Sequence, residues 1–206
     1  MVRKTKEEAS RTRQQIIDAA RQVFHQHGVA HSTLEQVAST AGLTRGAVYW
    51  HFKDKMELFH AMRADVLDPT NERVDALLFS TAYTDPLDAV EAALKEFFRV
   101  LDECPTLRQV LEILVLRCEL VDQLVDVQAA IQRPCHEFLA KLEQVYQKAA
   151  AHGSLRNDLE PGAVALDTWL FVGGLLHALL EQHFNDDFKS RIDPTITLHM
   201  SLRRAP

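Results

Sequence analysis

From Ile16 to Leu202 apolar residues recur at spacings of three and four, and the alternation that a half-buried strand needs is nearly absent. That period restricts the regular structure of the chain to helices. Seven glycines and seven prolines in 206 residues are too few to break it into short strands. A composition of 47% hydrophobic and 25% charged residues supplies a buried core and excludes disordered and fibrous classes. The expected fold is all-α.

The first helix is expected from about Ser10 to His27, with Ile16, Ile17, Ala20, Val23 and Phe24 on one stripe and Gly28 as its stop. A capping box of Ser32 with Glu35 opens a second helix, Leu34 to Thr40. Ala41-Gly42-Leu43 reads as a tight turn, and the Thr44 hydroxyl caps a very short third helix. Asp54 with Glu57 forms another box before a longer helix toward Leu78, with Asp68-Pro69 as a bend or an end. Further helices are expected from Asp85-Pro86 to Leu101, from Cys104-Pro105 to Glu119, and from Leu124 to Ala151. Pro134 is a kink site in the last of these, and Gly153 ends it. Pro161 opens Gly162 to Gln182, and a final helix spans Phe188 to Leu202, entered through Asp187 or interrupted at Pro194.

Two short helices around a glycine-containing turn make a helix-turn-helix. The second of them, Thr44-Arg45-Gly46-Ala47-Val48-Tyr49-Trp50-His51-Phe52-Lys53-Asp54-Lys55, carries the chemistry of a recognition helix. Arg45 stands where a reader of guanine edges must stand. Gly46 removes a side chain so that the backbone can approach DNA, and Tyr49, four residues on, shares the Arg45 face. His51 and Lys55 are placed for phosphate, while Val48 and Phe52 form the inward pair. Thr33, Thr44 and Trp50 complete the expected DNA-facing set, with Arg3 and Lys4 as a basic arm. Charge supports the same partner: residues 1–55 hold nine Lys and Arg against five acids, and the rest holds 14 against 24. A basic head on an acidic body keeps the body's charge away from the phosphates. His25, His27, His31 and His51 are expected to add protonatable charge near the backbone of DNA.

The N-terminus is charged with no apolar stretch behind it, so a cytoplasmic protein is expected. Cys104, Cys118 and Cys135 show no ligand spacing and are read as reduced thiols, with a redox role left open. No metal site and no cofactor are expected. Neither G-x-S-x-G, H-E-x-x-H nor a P-loop is present, and adjacent pairs such as Cys118-Glu119 and Cys135-His136 diverge on a helix by ~100°, so an enzyme is not expected. Ala163 to Leu180 approaches the length of a membrane span but carries Asp167 and His177. It is better explained as a helix buried on both sides, by its own domain and by a partner subunit, with Gly173-Gly174 as the approach point.

Leu43 to Lys55, together with Thr12-Arg13 and the Ile-Ile-Asp-Ala-Ala of the first helix, closely resembles the DNA-binding head of the TetR family of transcriptional regulators. With Arg3-Lys4-Thr5-Lys6-Glu7-Glu8, the chain looks most like repressors of resistance-nodulation-division multidrug efflux operons. The resemblance implies a DNA-binding domain over residues 1–55 and a ligand-binding and dimerisation domain over 56–206. It implies a homodimer on a palindromic double-stranded operator, released by a small hydrophobic or aromatic ligand. The ligand pocket it implies is lined by Val66, Val90, Leu94, Phe97, Leu111, Val115, Phe138, Leu142 and Val172, with His177 or Trp169 orienting the ligand. Helix four is then the element the ligand moves. The alternatives are a regulator of a catabolic or fatty-acid operon and, from another class, an all-α ligand-binding protein with no role on DNA.

Overall fold

A computed structural model describes residues 6–117, 125–181 and 186–206, with side chains everywhere in these ranges except 125–134 and 186. The described residues are helical, joined by short turns, with a single isolated β-bridge between Leu155 and Arg204. Ten helices follow in order: α1 (Lys6–His27), α2 (Leu34–Thr40), α3 (Arg45–His51), α4 (Lys55–Leu78), α5 (Pro86–Glu103), α6 (Pro105–Leu116), α7 (Val125–His152), α8 (Pro161–Leu180), α9 (Asp186–Ser190) and α10 (Ile192–Ser201). Pro69 lies inside α4, which continues past it, and α7 runs through position 134. The final helix breaks at Arg191 rather than at Pro194, which stands in the first turn of α10, where a missing backbone donor costs little.

The backbone divides into two compact units, Met1–Asp68 with Thr106–Ala130, and Pro69–Pro105 with Ile131–Pro206. This division of the backbone runs through α4, and it groups α6 with α1, α2 and α3. In the first unit, Ile16, Ile17, Ala20, Val23 and Phe24 of α1 are buried with Val37 of α2, Val48 of α3 and Leu58, Phe59 and Met62 of α4. Phe24 meets Phe59 edge to face at 6.1 Å between centroids. Leu107, Val110 and Ile113 give α6 its buried stripe, and two polar contacts tie it to α1. Arg21 Nε donates to Gln109 Oε1 at 3.1 Å, and His25 Nε2 lies 2.7 Å from Glu112 Oε2. The expectation that His25 serves phosphate is corrected by that second pair: its ring is engaged by a carboxylate of α6.

In the second unit, Asp85 caps α5 by accepting from Leu87 N at 2.9 Å, and Glu160 caps α8 by accepting from Gly162 N and Ala163 N. Both helices begin with proline, which has no donor to leave unsatisfied there. Val90, Leu94, Leu101, Leu142, Val145 and Tyr146 are buried in its core. A polar seam joins α7, α8 and α10: the Tyr146 hydroxyl lies 2.8 Å from Thr168 Oγ1, which lies 3.3 Å from His199 Nε2. The His199 ring stacks on Phe171 at 3.8 Å, and burial, with Arg203 nearby, pushes its pKa down to about 4. His199 is thus neutral near pH 7, which keeps a second positive charge away from Arg203. Arg203 itself pairs with Asp167 of α8, and Arg204 reaches Asp85, Asp88 and Glu91, pinning the C-terminal segment to α5.

Candidate nucleic-acid interface

The head is built by caps and one turn. Thr33 is the N-cap of α2, accepting from Gln36 N at 3.2 Å while Gln36 Oε1 accepts from Thr33 N at 2.8 Å. The box therefore uses Thr33 and Gln36, one residue on from the expected Ser32 and Glu35. Ser32 is buried instead, its hydroxyl donating to Gly28 O at 2.6 Å. The α2–α3 turn needs Gly42, whose φ of +65° lies in the left-handed region, so that Leu43 N reaches Ala38 O at 2.9 Å. Thr44 caps α3 by accepting from Ala47 N at 3.2 Å. At the junction with α4, Asp54 Oδ1 accepts from Glu57 N at 2.8 Å, and Glu57 Oε2 reaches back to Lys53 N at 2.8 Å.

These caps fix which face of α3 turns inward. Val48 and Phe52 are buried, as their spacing requires, and Arg13 of α1 lies over the Phe52 ring. The opposite face carries Arg45, Gly46, Tyr49 and Trp50, all exposed, and a Cβ added at Gly46 would meet nothing within 4 Å. The Trp50 indole is 71% exposed, with His51 edge-on to it at 4.5 Å. An aromatic ring held so far into water on a seven-residue helix contributes nothing to the core. Arg45 is held from two sides: its Nε lies 2.9 Å from Glu35 Oε1 of α2, and its Nη2 donates to the Tyr49 hydroxyl at 3.3 Å.

Lys55 departs from the sequence reading. Its ammonium donates to Ala30 O and Ser32 O, each at 2.9 Å, and burial lowers its pKa. In the structure it clamps the start of α4 to the α1–α2 loop. Lys55→Met, which keeps the stem and removes the donors, should lower the stability of the chain by about 1–2 kcal/mol in thermal or urea unfolding. An unchanged midpoint would overturn the clamp. Arg3 and Lys4 lie outside the described residues, as does Cys118; Cys104 and Cys135 are half-buried and form no disulfide.

The residues expected around a ligand fall into both units. Val90, Leu94 and Leu142 are buried in the second unit, where Phe97, Phe138, Trp169 and Val172 are half-buried. Leu111 is buried in the first unit, Val66 half-buried, and Val115 42% exposed. His177 does not point into a core: it lies on the open side of α8 with its Nε2 3.0 Å from Glu181 Oε1, an i,i+4 pair on a solvent face. A cleft of about 220 Å³ in the first unit, bordered by His27, Gly28, His31 and Arg117, shares none of these residues.

Two family models cover the head and the body. Residues 16–62 match bacterial regulatory proteins of the tetR family, and residues 85–193 match the C-terminal region of MAATS-type transcriptional repressors. The chain belongs to the TetR family. Among its TetR-family relatives is the HTH-type transcriptional regulator TtgR of Pseudomonas putida, 35% identical over 180 residues, 87% of this chain and 85% of that one. The fold is similar to that of NalD, the secondary repressor of the MexAB-OprM multidrug efflux pump in Pseudomonas aeruginosa. The TM-score is 0.83 at 28% identity, over 97% of this chain and 98% of that one. A SmeT–triclosan complex gives a TM-score of 0.83 at 30% identity, over 95% and 92% of the two chains. SmeT is the repressor of the Stenotrophomonas maltophilia multidrug efflux pump SmeDEF.

Sequence reasoning about this TetR-family head missed Glu35 as a neighbour of Arg45 and Glu112 as a neighbour of His25. Both contacts join residues distant in sequence, ten positions apart for Glu35 and Arg45 and 87 for His25 and Glu112, and no local pattern announces them.

Proposed function

We propose that the chain acts in the cytoplasm as a homodimer that binds a palindromic operator, represses a multidrug efflux operon, and leaves the DNA when a hydrophobic or aromatic compound binds its body. The observation that carries this reading is that relatives similar over both head and body are repressors of multidrug efflux pumps, one of them in complex with triclosan. On the head, Arg45 and Tyr49 read bases while Thr33, Thr44, Trp50 and His51 hold the backbone, a reading supported by the exposure of Arg45, Tyr49 and Trp50 on the face of α3 away from Val48 and Phe52, and of Thr33 and Thr44 at the helix caps.

The dimer surface is supported by the open face of α8. Ala163, Leu166, Asp167, Leu170, Gly173, Gly174 and His177 are all exposed and recur at three and four, and Leu198 and Leu202 beside α10's end are each 60% exposed. Among the described residues α8 is the one helix long and apolar enough to cross a membrane. A stripe that includes Asp167, two glycines and His177 suits a second copy of the helix better than lipid.

Triclosan bound against Phe97 and Phe138 should weaken binding to the intergenic DNA upstream of neighbouring transport genes. A ~100-fold effect requires ~2.7 kcal/mol of coupling, and by reciprocity the same DNA must weaken triclosan binding ~100-fold in titration calorimetry. Phe97→Ala should lose most of the triclosan response and keep operator binding, because a half-buried ring leaves a cavity that the surface can relax into. Equal triclosan affinity with and without DNA would sink the ligand-responsive reading.

A further inference from the structure

A lone arginine on a helix surface samples many rotamers, and stopping that motion on DNA costs affinity and blurs base choice. Arg45 is not in that condition. The Glu35 carboxylate lies 2.9 Å from its Nε as a charge partner, the Tyr49 hydroxyl accepts from Nη2 at 3.3 Å, and the Tyr49 ring lies 5.2 Å from Cζ. None of these contacts uses Nη1, so the end of the guanidinium keeps donors for a base. We propose that Glu35 is a specificity-determining positioning residue, whose carboxylate, acting with Tyr49, holds the Arg45 guanidinium ready for a guanine before DNA arrives.

Stability does not account for the contact. Both side chains are half exposed or more, at 50% for Glu35 and 63% for Arg45, and ion pairs in that setting contribute little to folding. An acid in the first turn of α2 suits the helix dipole, but the dipole does not draw the carboxylate across to α3. On a face that meets phosphates an acid also repels the backbone of every sequence alike. Glu35 therefore lowers binding to all DNA slightly while raising the preference for the base that Arg45 reads.

The proposal rests on Arg45 as the base reader, and the experiment separates the two. The full-length wild type selects duplexes from a random-sequence pool, and affinities are then measured for the selected duplex, for its variants at each guanine, and for a scrambled duplex. Arg45→Ala identifies the guanine whose replacement no longer matters. At that position Glu35→Ala should lower the discrimination between guanine and the other bases by ~10-fold, while binding to the scrambled duplex stays equal or tightens. Glu35→Gln, which keeps the length of the side chain and removes its charge, should lose the discrimination as Glu35→Ala does. Circular dichroism melting checks that both variants fold as the wild type does. Discrimination unchanged within twofold in Glu35→Ala, or equal tightening on selected and scrambled duplexes with the base profile intact, overturns the positioning role and leaves Arg45 as reader. A wild-type base profile in Arg45→Ala overturns the reader and, with it, the role of Glu35.

Discussion

Arg45→Ala lowers affinity for the cognate operator by about 1–3 kcal/mol and flattens base preference at one position in each half-site. The thermal midpoint stays within a degree or so of wild type, because the side chain is exposed, pairs with Glu35 and Tyr49 on the open face of the helix and is not part of the buried core. Val48 and Phe52 hold α3 from beneath, so the helix keeps its place when the arginine is gone. The measurement is fluorescence anisotropy with a selected duplex, its single-base variants and a scrambled control. Equal loss on all of them would mean that Arg45 contacts phosphate alone, and no loss would move the recognition surface elsewhere.

Gly174→Leu converts the protein to monomers and lowers operator affinity by roughly 10²–10⁴-fold, since the second head then no longer binds as part of one molecule. The effect is large because a bulky side chain is set where the exposed stripe of α8 has none. It is also clean. Within the chain, a Cβ at Gly174 meets nothing within 4 Å, and leucine favours a helix interior over glycine by about 1 kcal/mol. The monomer should therefore melt no lower than an isolated wild-type protomer. Sedimentation velocity on the variant, beside wild type at the same concentration, reads the result. An intact dimer would place the interface away from this stripe, and full operator affinity in a monomeric variant would show that one head suffices.

The helical period, proline at N1 with an acid before it, and glycine after the last turn are local signals. They locate α1, α5 and α8 to within a few residues, whereas the Glu160 cap of α8 appears only in the structure. The inward pair of α3 is local too, because two apolar residues four apart on a seven-residue helix have one buried side to share. Where two candidate caps adjoin, the pattern is ambiguous. Ser32 and Thr33 both have the hydroxyl, and burial of Ser32 against Gly28 O leaves Thr33 as the cap.

By itself the sequence determined an all-α chain with a basic head, the short exposed helix that follows the glycine turn, and the residues whose side chains cannot serve the core. Periodicity and cap chemistry act over a few residues, and they act the same way in any surroundings. Only the tertiary structure decided where the long side chains end. Lys55 reaches back 25 residues to Ala30 O, Arg45 is met by a carboxylate from another helix, and His177 turns out to Glu181 rather than inward. It also decided that α6 packs with α1 and that α8 leaves one stripe open. A flexible charged side chain settles on whichever partner the packing brings within reach, and a helix apolar nearly all round carries no record of which face its own chain will cover.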